Sequence, residues 1–222
     1  MNGLFLSLEG GEASGKSVQA TRLADWLGTQ GREVVSVREP GSTPVGERVR
    51  DIVLHAQEIP LAPNAQALLY STARAQLVRD VIRPALTAGK IVIVDRFYDS
   101  TLAYQGYGHG ADLDQLRAVT DFAVGDTRPD RTFLLDLPVE AAEQRQAGRK
   151  PGRAWDRFES EARAFHDRVR EGYLRLADAE PRRFAVIRAD RDADAIAADI
   201  RREVETLLGA PASLASRRRR RD

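Results

Sequence analysis

The clearest chemistry in the chain lies in eight residues near the amino terminus. Gly10-Gly11-Glu12-Ala13-Ser14-Gly15-Lys16-Ser17 fit the spacing G-x4-G-K-[ST] without a mismatch. Glycines so placed let successive backbone N–H groups curl inward around a polyphosphate. Lys16 can reach the β- and γ-phosphates of a nucleotide, and the Ser17 hydroxyl can ligate Mg²⁺. Such a loop works only between a strand and a helix, because the helix turns its positive end toward the same anion. Both flanks are present. Leu4-Phe5-Leu6-Ser7-Leu8 precede the loop and a helical periodicity follows it.

Three further places carry residues that could serve that chemistry. The apolar run Ile91-Val92-Ile93-Val94 ends in Asp95-Arg96. A carboxylate there can partner Mg²⁺ beside a phosphate loop, or simply cap the following turn. Arg38-Glu39-Pro40-Gly41 places a basic residue before a rigid turn. Arg38 is either a fork for a second phosphate or an exposed cation. Tyr70 and Arg74 stand four apart in a helical segment, on one face. They could hold a flat heterocycle by stacking and hydrogen bonding, or be a core tyrosine with an arginine snorkelling beside it.

The elements that must position these residues alternate in type. Strands are expected at Leu4–Glu9, Glu33–Arg38, Lys90–Asp95, Arg131–Leu137 and Arg183–Arg188, short apolar runs suited to a sheet covered on both faces. Helical stripes fall between them: Ala20, Leu23, Ala24 and Leu27, then a long helix over Asn64–Leu86, and finally Ile196, Ile200, Val204 and Leu207. Gly31 and Gly89 should end the helices before the second and third strands. This order predicts an α/β, doubly wound parallel sheet whose ligands sit at the carboxyl ends of the strands.

Composition narrows the class. The chain has 222 residues, enough for one large domain, with no internal repeat or linker. Its 34 basic and 33 acidic side chains nearly cancel, which leaves no general nucleic-acid or membrane signature. There is no cysteine, so disulfides, thiolate metal sites and a cysteine nucleophile are excluded. The first strand starts almost at Met1 and no apolar run approaches membrane-spanning length, so a cytoplasmic protein is expected.

Five blocks, in order, resemble the bacterial thymidylate kinases. They are Glu9 through Ser17, Arg38-Glu39-Pro40-Gly41, Tyr70 to Gln76, Asp95-Arg96-Phe97-Tyr98-Asp99-Ser100-Thr101-Leu102-Ala103-Tyr104-Gln105-Gly106, and Asp156-Arg157-Phe158-Glu159. The similarity spans about residues 1–208. The fourth block is the most discriminating, since adenylate and guanylate kinases share the phosphate loop but not this run. The resemblance implies a P-loop NTPase fold with a five-stranded parallel sheet, helices on both faces, a small lid over about 141–159, and a homodimer. It implies transfer of a phosphoryl group from ATP to thymidine monophosphate, with Mg²⁺.

Residue roles follow from the same resemblance. Lys16 and Ser17, within the loop Gly10–Ser17, would hold ATP phosphates and metal, with Asp95 as the second metal partner. Arg38 and Arg96 match arginines that clamp the acceptor phosphate, with Pro40 beside them. Arg74 matches the reader of the pyrimidine edge, and Tyr70 the aromatic that stacks on it. Ser100, Thr101 and Gln105 match further base contacts, and Tyr104 the residue crowding the sugar 2′ position. Glu9 matches a carboxylate used near the metal and acceptor. Because Gly11, Glu12, Ala13 and Ser14 bring no cation to the loop, one is expected from the lid. Arg149 is the first choice and Arg153 the second, while Arg145 resembles the position that packs over adenine.

No general base is needed when the acceptor is an ionised phosphate oxygen. His55, His109 and His166 accordingly lie outside every matching block. The five arginines Arg217–Arg221 repel one another and are expected to form a disordered basic tail over 209–222, capable at most of a weak nucleic-acid contact. Two other readings share the loop: a kinase for another pyrimidine monophosphate or deoxynucleoside, and a nucleotide sensor without turnover.

Overall fold

The computed structural model describes residues 3–56, 58–148 and 161–209. Strands β1 (Leu4–Glu9), β2 (Val34–Arg38), β3 (Ile91–Asp95), β4 (Arg131–Asp136) and β5 (Phe184–Arg188) form one sheet. They match the five expected runs to within one residue at either end. The order is β2-β3-β1-β4-β5 and every pairing is parallel.

Helices cover both faces, which is why the strands read as continuous apolar runs. On one side α1 (Lys16–Thr29) and α9 (Ala193–Gly209) bury Leu23, Leu27, Ile196 and Ile200 against Leu6, Leu8, Phe133 and Leu135. On the other, α3 (Pro63–Leu77), α6 (Leu113–Val124) and α8 (Arg163–Ala179) pack Leu77, Leu116, Val169 and Tyr173 in one core with Phe5, Val92 and Leu134. Alternation along β1 turns Leu6 and Leu8 to the first layer and Phe5, Ser7 and Glu9 to the second. Shorter helices α2 (Pro44–Arg50), α4 (Arg83–Thr87), α5 (Tyr98–Thr101) and α7 (Val139–Ala147) complete the framework.

The expected helix over Asn64–Leu86 is one helical stretch with a widened turn. α3 passes through a π-helical segment, Val78–Ile82, into α4. Pro84 lies just inside α4 and offers no N–H to the carbonyl one turn earlier, which accounts for the widening. Another π-helical segment, Leu102–Gly108, continues α5 and carries Tyr104 and Gln105. Gly31 and Gly89 have φ of +72° and +78°, the left-handed conformation expected where helices end.

Parallel register gathers the functional strand ends on one edge. Asp95 pairs with both Leu8 and Arg38, and Glu9 pairs with Leu134. The chain leaves β1 toward β2 on one flank of the sheet while β4 occupies the other, so a crevice opens above β1. Among the described residues no helix is long and apolar enough to cross a membrane.

Candidate active site

The loop after β1 is shaped by glycines that no other residue could replace cheaply. Gly10 has φ of +141°, and a Cβ there would lie 2.5 Å from the carbonyl oxygen of Leu135. Gly15, with φ of +94°, hands the chain to α1. Lys16, the first residue of that helix, bends back over the loop. Its Nζ donates to the carbonyls of Gly10 (3.1 Å) and Gly11 (2.7 Å) and to Ser14 Oγ (3.2 Å). Burial, then the positive charge of Arg96, pushes its ammonium down to about 8 against the pull of Glu12, Asp95 and Glu9. Ser17 Oγ donates to Asp95 Oδ2, so a hydroxyl and a carboxylate converge from α1 and β3.

A cavity of about 500 Å³ opens from this loop toward α3. Its wall carries Lys16, Arg38, Arg96 and Arg145 together with Tyr70 and Arg74 of α3. Arg38 is half-exposed and donates to both oxygens of Glu47 at 2.9 Å. Arg145 bridges the carbonyls of Ala13 (3.2 Å) and Ala189 (2.6 Å), joining the phosphate loop to the end of β5. None of the three histidines lines the cavity.

Arg96 is held more tightly than a strand-end cation needs to be. Its backbone φ is +69°, outside the region favoured by a bulky residue. Nη2 donates to Glu12 Oε1 (2.7 Å) and Tyr104 Oη (3.2 Å), and the guanidinium lies over the Tyr104 ring at 5.1 Å. Nη1 donates to the Gly10 carbonyl (3.0 Å), Ser100 Oγ and Tyr173 Oη (both 3.3 Å). Burial alone would raise the Glu12 carboxyl, yet Arg96, Lys16 and the Tyr104 hydroxyl hold it down at about 2. Glu12 therefore stays ionised and fixes Arg96 to the loop.

Glu9 lies beneath the cavity and not on its wall. It is fully buried, and the alternation of β1 points it into the α8 layer. Its carboxylate accepts from the Phe97 N–H (2.6 Å), Ser100 Oγ (2.7 Å) and Tyr173 Oη (2.9 Å). Burial first, and then the nearby Asp99, pushes it up to about 7 despite those bonds. The sequence placed Glu9 near metal and acceptor; in the structure it meets the cavity through Phe97 and Ser100, which bond to it and line the wall.

Arg74 does not snorkel. It is 1% exposed and pinned, with Nε on Glu39 Oε2 (2.8 Å) and Nη2 on Thr101 Oγ1 (3.1 Å) and the Phe97 carbonyl (3.4 Å). Nη1 has no protein partner among the described residues. A buried donor without a partner is costly unless a ligand supplies one. Gln105 Nε2 donates to Gln66 Oε1 (3.1 Å), leaving the Gln105 carbonyl free for other donors. Thr101 serves Arg74 as well as the cavity wall.

Sequence reasoning passed over Tyr173, Gln66 and the carboxylate of Glu39. Tyr173 belongs to the apolar stripe Phe165, Val169, Tyr173, Leu176, which reads as core and carries no other signal. Arg149, Lys150, Arg153 and Arg157, expected of a lid, the block Asp156–Glu159 and the tail Arg217–Arg221 lie outside the described residues.

A phosphate loop facing a second cluster of arginines across a nucleotide-sized cavity, on a parallel sheet of this order, defines a P-loop nucleoside monophosphate kinase. Comparison with known proteins narrows the class. The family profile described as Thymidylate kinase matches residues 8–200. The thymidylate kinase of Syntrophotalea carbinolica is 47% identical over 195 residues, 86% of this chain and 90% of that protein. That of Clavibacter michiganensis subsp. michiganensis is 46% identical over 213 residues, 96% of this chain and 100% of that protein. The crystal structure of thymidylate kinase from Ehrlichia chaffeensis superposes with a TM-score of 0.74 at 31% identity, covering 92% of this chain and 99% of that one. The chain belongs to the thymidylate kinase family.

Proposed function

We propose how the cavity divides the work of its family's reaction: the phosphate loop holds the donor, and the arginines between it and Tyr70 hold the acceptor. The enzyme transfers the γ-phosphoryl group of ATP to thymidine monophosphate, giving thymidine diphosphate and ADP. The observation that carries the division is Arg74, a buried arginine of the cavity wall with one unpartnered nitrogen, standing on α3 and not on the phosphate loop.

Lys16 and the loop N–H groups take the phosphates of ATP, and Arg145 packs over the adenine. Arg96 and Arg38 clamp the acceptor phosphate. Tyr70 stacks on the thymine, Arg74 Nη1 donates to a ring carbonyl, and Gln105, Ser100 and Thr101 complete the base site beside Pro40. The Tyr104 ring walls off the sugar. Ser17 and Asp95 would hold Mg²⁺, since a hydroxyl and a carboxylate are the hard oxygen donors this ion shares with substrate phosphates. When bound, it neutralises charge on the transferring phosphates. Arg149, on sequence grounds, supplies the remaining cation. The catalytic unit then spans 1–208. A cytoplasmic location belongs to the same proposal, because both substrates are highly charged metabolites.

Coupled measurement of ADP release across the nucleoside monophosphates tests this reading. Thymidine monophosphate is expected to have the highest specificity constant, with deoxyuridine monophosphate next. The margin over that competitor should reflect one methyl group, roughly 1–3 kcal/mol. Cytidine monophosphate should be poorer still, since its amino group would face the Arg74 donor. Preferential turnover of a purine monophosphate would refute the base site.

A homodimer is also proposed, through the layer of α3 and α6. Phe122 on α6 is 94% exposed and Leu68 on α3 is 55% exposed, on two helices that pack against each other. A phenylalanine left almost wholly in water is the kind of anchor that interfaces bury. Light scattering should find a dimer for the natural chain and a monomer for Phe122→Glu; a variant still dimeric at micromolar concentration excludes this face.

A further inference from the structure

Arg96 must present a planar fork to the acceptor phosphate within a fraction of an ångström, from the end of a long flexible stem. Part of what fixes it comes from 77 residues away, on α8. Tyr173 is 1% exposed, and its hydroxyl stands at a junction of three partners. It donates to Glu9 Oε2 (2.9 Å), lies 2.8 Å from Ser100 Oγ, and accepts from Arg96 Nη1 (3.3 Å). Ser100 Oγ also donates to Glu9 Oε2, at 2.7 Å. A hydroxyl has one proton and two lone pairs. With Glu9 ionised, two hydroxyl protons are shared among the three close contacts of Glu9 Oε2, Ser100 Oγ and Tyr173 Oη, and a Tyr173 lone pair is left to face Arg96 Nη1.

The ring that carries this hydroxyl has little room to move. A Cβ on neighbouring Gly172 would lie 2.6 Å from Tyr107, so α8 is pressed onto the π-helical segment Leu102–Gly108. Arg168 of the same helix donates twice to the Gly108 carbonyl, at 2.8 and 3.0 Å, which fixes its register. Tyr104, from that segment, meets the Tyr173 ring edge-on at 6.3 Å.

We infer that Tyr173 is a positioning residue for the acceptor side of the reaction, its hydroxyl joining Glu9 to the acceptor-phosphate fork of Arg96. The inference rests on the proposed role of Arg96 and adds to it a residue on a remote helix. A merely structural tyrosine would move stability and not substrate discrimination between the two sites.

The test is Tyr173→Phe, which keeps the ring and removes only the hydroxyl, measured alone and in an Arg96→Ala background. Losing one hydrogen bond to a charged group should lower kcat/KM for thymidine monophosphate by about five- to thirtyfold. KM for ATP should stay within about twofold of the natural enzyme, because the donor loop keeps its own contacts. In the Arg96→Ala background the same change should cost less than about twofold, since two residues acting through one contact are not additive. A rise in KM for ATP as large as the loss for thymidine monophosphate, or a full second penalty on top of Arg96→Ala, would overturn the inference while leaving Arg96 in place. An Arg96→Ala enzyme with near-normal kcat/KM for thymidine monophosphate would instead remove the reading of Arg96, and this inference with it.

Discussion

Replacing Lys16 with alanine is expected to lower turnover by on the order of a hundredfold or more while the protein stays folded. In phosphoryl transfer the moving group spreads charge over three equatorial oxygens, and the protein's contribution is placement and neutralisation. Lys16 is built for that purpose. It is buried, its ammonium is already partly stripped of water, and it is held by two loop carbonyls and Ser14 Oγ at the mouth of the cavity. Those carbonyls are weak partners for a cation, so an arriving phosphate displaces them at small cost. A hundredfold loss corresponds to about 2.7 kcal/mol of transition-state stabilisation. The loop itself would lose three hydrogen bonds, so Lys16→Met should be measured beside Lys16→Ala to keep the stem in place. Turnover and thermal midpoint together decide the matter. Near-natural turnover in either folded variant sinks the assignment of this loop as catalytic.

The loop was legible in the sequence because its chemistry is contiguous: eight neighbouring residues form the whole cradle. The sheet was legible for a different reason. Strands covered on both faces cannot alternate with polar residues, so each of the five stands out as an apolar run. What sequence could not show is produced by contacts between distant segments. Glu39 sits next to Arg38 in the chain, where the cation is the residue that suits a phosphate. Only the fold reveals that the carboxylate turns inward to Arg74, 35 residues on. Tyr173 had the spacing of a core residue and is one, but its hydroxyl lies against Arg96 and Glu9. Glu9 was noticed for its place before the loop, yet the period of two along β1 sends it below the cavity floor. The widened turn at Val78–Ile82 left no mark on the apolar periodicity, although Pro84 was there to be seen.

The buried pair Arg74–Glu39 should give the largest effect on stability, and one that depends on pH. The two side chains are 1% and 3% exposed, so solvent does little to screen them. Removing one partner from such a pair typically costs about 3–5 kcal/mol, because the other is left charged in the interior. Burial already raises Glu39 from an ordinary 4.5 to about 7, with Arg74 pulling the other way. In Arg74→Met that pull is gone and the carboxyl rises further. A group whose folded pKa lies above its unfolded value is no burden while protonated in both states, and loses stability as pH climbs through the folded value. The extra penalty of Arg74→Met should therefore be smallest at about pH 5 and grow above about pH 7, where the natural Glu39 has ionised and the variant's carboxyl has not, by about 1.4 kcal/mol per pH unit. Glu9, raised to about 7 chiefly by burial, adds a slope of its own in both proteins and also pushes Glu39 upward. Urea unfolding of the natural chain, Arg74→Met and Arg74→Met/Glu39→Gln at both pH values makes the comparison. The double variant should recover most of the loss at pH 8, since no ionisable group then remains unpaired at that spot. It should not recover discrimination between thymidine and cytidine monophosphates, because the donor that faces the ring carbonyl is still missing. A single variant equally unstable at both pH values would show that Glu39 is not the group left behind. Undiminished preference for thymidine monophosphate in the double variant would take Arg74 out of the base site.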